Sequence, residues 1–557
     1  MPPKTLVIVG GVAGGASAAA RARRLSEDAN IIVFERGPHV SFANCGLPYF
    51  VGGEIQSREF LLLHTPATLK QRFNLDVRIK TEIVAIDRNA RRVKAREINS
   101  GREYYQQYDA LILSTGAIPV RPPIPGIDRP GHFVVRNVPD ADAIAGWLEN
   151  PETKRAVVVG GGYIGLEMAE QLKRRGLDVA IVEALDQVLA TFDIEMARMI
   201  ELELRSKGIK LFLNSPVVGF EEPAASDSVR ASMVVLKDGR RLPADIVVLA
   251  LGVRPEVSLA NNAGLEIGAR GGIRVDERMR TSDPHIWAVG DAVEVRDLVT
   301  GEWTLIPLAG PASRQGRIAA DNVFGHQSRY AGSLGTSIVG VFGIVAAGTG
   351  ANEKCLRRAC IRFEAIHLHP PSHATYYPGA STVTLKILFS PESGRLLGAQ
   401  AVGRDGADKR IDVIATAIKA NMTVDDLAGL ELAYAPPFGS AKDPVNLAGM
   451  AAQNIIRGHA RHIHWDDLAN LDLSTTVLLD VRTQVEREAG CIPGSIHIPL
   501  EELRNRLSEL PQDKEIVAYC RSGQRSYYAC RILTQQGYKA RNLSGSYLTW
   551  YYACNAT

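Results

Sequence analysis

The sequence predicts an α/β protein with two nucleotide-type βαβ units, then an α+β region, then a further α/β region at the C-terminus. Three observations predict it. A β-branched run, a glycine-rich turn, a helical stretch and a second apolar run ending in Glu occur in that order twice, starting near Lys4 and again near Arg155. Between about 330 and 447, alternating strands such as Thr382–Phe389 mix with helical stretches. Toward the C-terminus the apolar strands Thr476–Asp480 and Glu515–Cys520 begin another α/β pattern.

The chain of 557 residues is 46% hydrophobic and 22% charged, an ordinary globular composition long enough for roughly three to four domains. Its net charge of +3 is spread along the sequence, which indicates neither nucleic acid nor an anionic membrane as partner. No apolar stretch approaches the roughly 20 residues of a membrane span. Residues 1–4 lead directly into a strand without a signal peptide, so a cytoplasmic protein is expected. Seven cysteines, odd in number and scattered, fit reduced thiols rather than a disulfide framework.

The first βαβ unit runs from the strand ending at Val9 through the turn Gly10–Gly15 and an Ala-rich helix to Ile31–Phe34 and Glu35. In a Gly-x-Gly-x-x-Gly turn the first glycine permits the bend, the second lets backbone approach pyrophosphate, and the third lets helix pack on strand. The phosphate meets the helix N-terminus, where free amides and the dipole favour negative charge. Gly160, Gly162 and Gly165 satisfy the pattern in full; the first copy has Gly10 and Gly15 with Val12 at the middle position. Glu35 stands twenty residues past Gly15, placed to accept from a ribose hydroxyl. Glu183 ends the second unit, and its carboxylate would repel a 2′-phosphate, so NADH is expected over NADPH. Two Rossmann-like dinucleotide-binding domains follow, over 1–118 with 246–325 and over 119–245.

Two further short strands end in small-residue turns, one containing Ser114, Thr115, Gly116 and Ala117 and one running from Ile246 to Gly252; the segment Ala288–Asp291 comes after them. With the two glycine motifs, these resemble the FAD/NAD-dependent pyridine nucleotide-disulfide oxidoreductases. The resemblance implies FAD on the first unit, touching Thr115, Gly116, Gly290 and Asp291, with Asp291 hydrogen-bonding the ribityl chain, and NADH on the second. Cys45 would then face the flavin.

Cys45 has no second cysteine beside it. Enzymes that reduce disulfides through an internal pair carry C-x4-C or C-x2-C at the flavin. A single thiol must form a mixed disulfide with a small thiol or oxidise to a sulfenate. The context Asn44–Tyr49 resembles the coenzyme A-disulfide reductase branch, which implies a mixed disulfide with CoA. The NADH oxidase and peroxidase branch uses a sulfenate aided by a His inside the first glycine motif, where this chain has Ala13. Residues 376–379 and 434–444 resemble the interface domain of the reductase branch, expected over 326–448 as a dimerisation domain. That implies a homodimer in which tyrosines from the partner subunit reach the CoA sulfur. Tyr434 is the stronger candidate, and the sequence does not choose between Tyr376 and Tyr377. A phenol there can donate a proton to a leaving thiolate. The branch's CoA contacts match Ser17, Arg21, Arg24, Ser41, Asn44 and Lys442.

A polar stretch over 449–464 reads as a linker. Beyond it Leu479–Arg482, Gly490–Pro499 and Tyr519–Ser526 resemble a single rhodanese domain, expected over 465–557, with Cys491 where that family often has His. Cys520 and the loop Arg521, Ser522, Gly523, Gln524, Arg525 lie between strand and helix, so amides can surround a sulfur, lower the thiol pKa and hold a persulfide. Cys355 and Cys360 have C-x4-C spacing far from the flavin motif, and a packing role is expected. His367, His369, His373, His462 and His464 lack Cys or carboxylate partners at zinc spacing, so no metal is expected.

The resulting expectation is a flavoprotein that uses NADH to reduce CoA persulfide, polysulfide and CoA disulfide at Cys45, with Cys520 supplying sulfane sulfur. The alternatives are a CoA-disulfide reductase maintaining the thiol pool, an NADH oxidase or peroxidase, and a non-enzymatic persulfide sensor.

Overall fold

A computed structural model describes residues 4–222 and 232–555. Residues 1–3, part of the expected leaderless N-terminus, lie outside the described residues. The chain divides into two compact units, one holding the residues through Asp186 with Ile209–Gly335, the other Gln187–Gly208 with the residues from Thr336 onward.

The first unit carries two five-stranded parallel sheets. One has the order Ile286–Ala288, Ala110–Leu113, Thr5–Val9, Asn30–Phe34, Asp76–Arg78. The other repeats it as His132–Phe133, Ile246–Leu249, Arg155–Val159, Asp178–Val182, Lys210–Phe212. The central strands are unbroken apolar runs because helices and loops cover both faces of such a sheet. Helices Ala13–Leu25 and Tyr163–Arg174 follow the two central strands. The expected domain break at 245/246 falls inside the second sheet: Ile246–Leu249 pairs with Ala156–Val159, and the first sheet is rejoined only at Ile286.

In the second unit a five-stranded antiparallel sheet runs Ser337–Val341, Ile344–Gly350, Leu396–Gly403, Val383–Phe389, Glu364–Leu368. The helix Ile194–Ser206, numbered within the expected second nucleotide domain, belongs to this unit instead. It buries Met196, Ala197, Ile200 and Leu204, and an ionic cluster holds its N-terminal end. Lys386, on the fully buried strand Val383–Phe389, meets Asp193 at 2.9 Å, Glu195 at 2.6 Å and Glu353 at 2.6 Å. A parallel sheet of order His462–Ile463, Lys539–Leu543, Glu515–Tyr519, Thr476–Asp480, Ile496–His497 forms the C-terminal domain. The expected linker is largely ordered: helix Pro444–Ile456 runs through half of it and His462–Ile463 is already a strand.

Candidate functional site

Both glycine turns leave the C-terminal end of a central strand at the same point of the topology. Gly10 takes φ +95° and a Cβ there would lie 2.1 Å from the Ser114 carbonyl oxygen; Gly160 takes +111° and would meet the Ala250 oxygen at 2.2 Å. The last glycines are equally fixed by packing, because a Cβ on Gly15 would lie 1.8 Å from the Gly10 oxygen and one on Gly165 2.0 Å from the Gly160 oxygen. At Gly162 a Cβ meets nothing within 4 Å, so that glycine leaves space open at the start of its helix. Val12 holds the corresponding place in the first turn and caps the helix Ala13–Leu25 without a side-chain hydrogen bond.

The acidic residue of each unit braces its own turn. Glu35 accepts from the amides of Gly11 at 2.9 Å and Gly37 at 2.8 Å, and Glu183 from Gly161 at 2.7 Å and Leu185 at 2.9 Å. Ionised acceptors make these bonds stronger than neutral ones.

A cavity of about 590 Å³ opens over the first turn, lined by Gly10, Val12, Glu35, Asn44, Thr115, Gly116, Arg136, Gly290 and Asp291. It is the place where FAD is expected, and the residues fit it. Uncapped helix amides beside Ala13 and Gly14 suit a pyrophosphate, and Asp291 offers an acceptor to a sugar-like chain. Thr115 donates its hydroxyl to the Glu256 carbonyl at 2.6 Å, and Gln315 accepts from the Gly290 amide at 2.7 Å. Burial pushes the Asp291 carboxyl up, while the Arg136 guanidinium opposes the shift. Arg136 donates to the Ala117 carbonyl at 2.6 Å, and burial holds its pKa below the ordinary guanidinium value. Sequence reasoning missed this cation; it follows a two-residue edge strand and carries no motif.

Cys45 is exposed, in the short turn Asn44–Gly46 that starts the helix Leu47–Gly52. Partial burial raises its thiol pKa, and the Glu167 and Asp291 carboxylates raise it further, against a backbone hydrogen bond. Glu167 lies two residues past Gly165 on the second nucleotide helix and accepts from the Tyr49 hydroxyl at 3.1 Å. Burial raises the Glu167 pKa as well, and the Tyr49 bond counters it. The sequence offers one signal for this residue, a carboxylate on the helix opened by the glycine turn.

Of the residues matched to CoA contacts, Ser17, Arg21 and Arg24 occur at helical spacing and share one face of Ala13–Leu25. Arg24 is exposed; Arg21 is engaged with Asp321 at 2.6 Å. Ser41, in the left-handed region at φ +50°, and exposed Asn44 lie in the segment leading to Cys45. Lys442 is exposed on the second unit. Also on that unit, the hydroxyls of Tyr376 and Tyr434 meet at 2.7 Å, both rings exposed. Tyr377 instead packs edge-on against His373 at 5.9 Å.

The C-terminal loop is built around a sulfur. Cys520 is buried, and its Sγ accepts from the Gly523 amide at 3.1 Å and the Ser526 hydroxyl at 3.4 Å. Gly523 caps the helix Gln524–Gln535 at φ +103°. Arg525 is held to Glu486 by two bonds of 2.7 and 2.6 Å; Arg521 and Gln524 are exposed and Ser522 is half-buried. Ser526 closes the sequence motif, and nothing in the sequence alone marks its hydroxyl as a donor to the sulfur. Behind the loop, Ser546 accepts from the Cys520 amide at 3.1 Å, and the amides of Tyr547 and Leu548 donate to the carbonyls of Cys520 and Arg521. The same segment is fastened to the antiparallel sheet. Ser544 accepts from the His367 amide at 3.0 Å, and Thr549 meets His369 Nε2 at 2.8 Å. Burial pushes His369 down to about 3, so it is neutral there.

The other cysteines divide by environment. Burial pushes the Cys530 thiol up to about 12, which makes it unreactive. Cys355 is half-buried, but Cys360 is exposed at φ +54°, so the expected packing role does not hold for it. All seven cysteines are free thiols. The expectation that the histidines lack carboxylate partners fails for three of them: His367 Nε2 lies 2.9 Å from Glu195, His462 Nε2 lies 3.1 Å from Glu364, and His373 Nδ1 lies 3.7 Å from Asp405. No helix among the described residues is long and apolar enough to cross a membrane.

Comparison with known proteins finds three family models. Pyridine nucleotide-disulphide oxidoreductase matches residues 4–316, the dimerisation domain of the same family 336–444, and the rhodanese-like domain 465–553. A protein of Methanocaldococcus jannaschii called NADH oxidase is 37% identical over 79% of this chain and 97% of its own length. The coenzyme A disulfide reductase of Staphylococcus haemolyticus is 34% identical over 81% of this chain and 100% of its own. Among solved structures, reduced Bacillus anthracis CoADR-RHD is 48% identical with a TM-score of 0.96, over 99% of this chain and 98% of that one. The NAD-dependent persulfide reductase from A. fulgidus is 40% identical with a TM-score of 0.92, over 98% and 100%.

Proposed function

The chain belongs to the pyridine nucleotide-disulphide oxidoreductases and carries their dimerisation domain and a rhodanese-like domain; from that premise we propose that it is an NADH-dependent reductase of CoA persulfide, polysulfide and CoA disulfide. The observation that carries this reading is that one chain holds two single-thiol sites of different build, exposed Cys45 beside the nucleotide cavity and buried Cys520 in its cradle of donors. When bound in the cavity over Gly10, FAD supplies two-electron chemistry between NADH and sulfur. The Glu183 carboxylate at the second turn favours NADH over NADPH.

Cys45 thiolate attacks the inner sulfur of a CoA persulfide. A Cys45–S–S–CoA bond forms, the S–SH bond breaks, and hydrosulfide leaves with the electron pair. Two electrons from NADH then return the mixed disulfide to Cys45 thiolate and CoA thiolate. A CoA disulfide enters by the same attack, with CoA thiolate leaving. The carboxylates of Glu167 and Asp291 oppose charge on Cys45, which suits a sulfur held in disulfide form between turnovers. The Tyr434 hydroxyl, paired with Tyr376, is the proton donor to the departing CoA sulfur, reached across a homodimer. Ser17, Arg24, Ser41, Asn44 and Lys442 are the CoA contacts we favour; Arg21 must first yield its pairing with Asp321.

The Cys520 thiolate attacks a sulfane sulfur of polysulfide, forming the Cys520 persulfide as the S–S bond to the shortened polysulfide breaks and that anion leaves; CoA thiolate then attacks the outer sulfur, the Cys520–S bond breaks, and CoA persulfide and Cys520 thiolate result. The Gly523 amide and Ser526 hydroxyl stabilise negative sulfur through both steps. Joining the two thiol sites in one chain raises the effective concentration of the carried sulfur. We place the protein in the reducing cytoplasm, in keeping with its seven free thiols.

Anaerobic NADH oxidation with polysulfide, CoA persulfide and CoA disulfide in parallel, with sulfide quantified, tests the proposal. Cys45→Ser should abolish every turnover, and Cys520→Ala should spare CoA disulfide while slowing polysulfide. Full sulfide release by Cys45→Ser would refute the scheme. A second reading, NADH oxidase, draws on the name of the Methanocaldococcus jannaschii relative; rapid oxygen consumption without CoA would favour it.

A further inference from the structure

We infer that Glu364, His462 and His464 form a zinc site that fastens the entry of the C-terminal domain to the antiparallel sheet. Glu364 begins the edge strand Glu364–Leu368, and His462 begins the edge strand His462–Ile463 of the neighbouring sheet in the same unit. Each of the three residues offers a ligand atom within 4.8 Å of the other two. His462 Nε2 and Glu364 Oε2 are 3.1 Å apart, and the rings of His462 and His464 are 5.0 Å apart.

Zinc takes imidazole nitrogen and carboxylate oxygen at about 2.0–2.2 Å, which places ligand atoms of a tetrahedral ion about 3.4 Å from one another. The His462 and Glu364 atoms already stand close to that separation, and His464 completes the set by a small closure. All three side chains are half-buried, so a fourth position is open to water.

An ion pair between His462 and Glu364 accounts for two of the residues but leaves the third without a role. The His464 ring lies edge-on to the rings of His462 and His367 and has no hydrogen bond to its nitrogens among the described residues. His367 is already engaged with Glu195 and Ser544, which keeps it outside the ligand set. A second group of three acids, Asp193, Glu195 and Glu353, differs in kind because the ammonium of Lys386 already serves as its cation. The acid in the proposed site lies almost a hundred residues before the histidines in sequence, which is why zinc spacing along the chain gave no sign of it.

The test uses the flavin-loaded full chain with its accessible thiols alkylated, since thiolates also bind zinc. After chelation and dialysis, calorimetric titration with zinc chloride at neutral pH should show one equivalent bound per chain. Loss of an outer-shell partner alone costs about 10–100-fold in metal affinity, so Glu364→Gln and His464→Ala should each weaken binding at least about 100-fold. Glu364→Gln keeps the size of the side chain and an oxygen for His462; unchanged flavin absorbance and metal-free melting would show that it folds. Zinc should also slow tryptic cleavage after exposed Arg461 in the unsubstituted chain. Failure to bind one equivalent, unsubstituted affinity in either variant, or cleavage indifferent to zinc would overturn the inference.

Discussion

Replacing Gly162 by Ala should separate NADH affinity from stability, and Gly165→Ala should not. At Gly162 the backbone lies at φ −80° and ψ −172°, which alanine adopts freely, and the added methyl meets nothing within 4 Å. The cost to the fold is that of an alanine at a helix N-cap, about 0.5–1 kcal/mol, or at most a few degrees in melting temperature. The methyl does occupy the space through which a pyrophosphate would approach the helix amides. Losing one charged hydrogen bond there costs about 1.5–3 kcal/mol, a weakening of roughly 10- to 150-fold. At Gly165 the methyl would lie 2.0 Å from the Gly160 carbonyl oxygen. Overpacking of about 1–3 kcal/mol, partly offset by about 1 kcal/mol of helix propensity, should lower melting and NADH affinity together. Calorimetric titration with NADH, beside melting curves followed by flavin fluorescence, reads both quantities. If Gly162→Ala bound NADH within about twofold of the unsubstituted chain, the assignment of that open space to a phosphate would be wrong.

Three further outcomes are expected. Lys386→Met leaves Asp193, Glu195 and Glu353 without their cation and should destabilise the second unit by about 3–5 kcal/mol in denaturant unfolding; a loss below about 1 kcal/mol would show that the acids find other compensation. The hydrogen bond from Arg525 holds Glu486 down to about 2 from 4.5, so its stabilising effect is complete above the unfolded value and fades as pH falls from about 4.5 to about 2. Near-ultraviolet circular dichroism over that window should show a loss in the unsubstituted chain that is weaker in Glu486→Gln, and matching profiles would sink the idea. Removing the Glu167 charge should lower the raised Cys45 thiol pKa, so Glu167→Gln should speed its alkylation at neutral pH roughly three- to tenfold, the effect of about 1 kcal/mol; an unchanged rate would remove Glu167 from the account.

What could be read from the sequence is what local chemistry imposes. The two glycine turns are constrained by backbone conformation and by carbonyl oxygens that a Cβ on Gly10, Gly15, Gly160 or Gly165 would meet at under 2.3 Å, so their residues announce them. The Cys520 loop is likewise contiguous from sulfur to donors, and its motif spans the whole cradle. What stayed hidden depends on where separate segments meet. Arg136 reaches the flavin cavity from beside an edge strand of the other sheet. The amphipathic pattern of Ile194–Ser206 fixes a buried face but not which sheet buries it, and its ion pair with Lys386 comes from nearly two hundred residues away. The strand Ile246–Leu249 is apolar throughout and would suit either parallel sheet, so its sheet could not be told from composition. Val12 marks the opposite limit: a motif position filled by an unexpected residue, in a turn that nonetheless keeps the geometry of its neighbour.

The double fastening of Ser544–Thr549 bears on how such a chain can be taken apart. Ser546 supports the Cys520 amide from behind, while Ser544 and Thr549, two and three residues to either side, bond to His367 on the edge strand of the antiparallel sheet and to His369 just past its end. A rhodanese module excised at the junction would carry its Cys520 loop intact but leave that backing segment half-supported, with polar groups now turned to water. Grafting this domain onto another scaffold, or trading it between relatives, therefore means moving two histidines from outside its borders along with it.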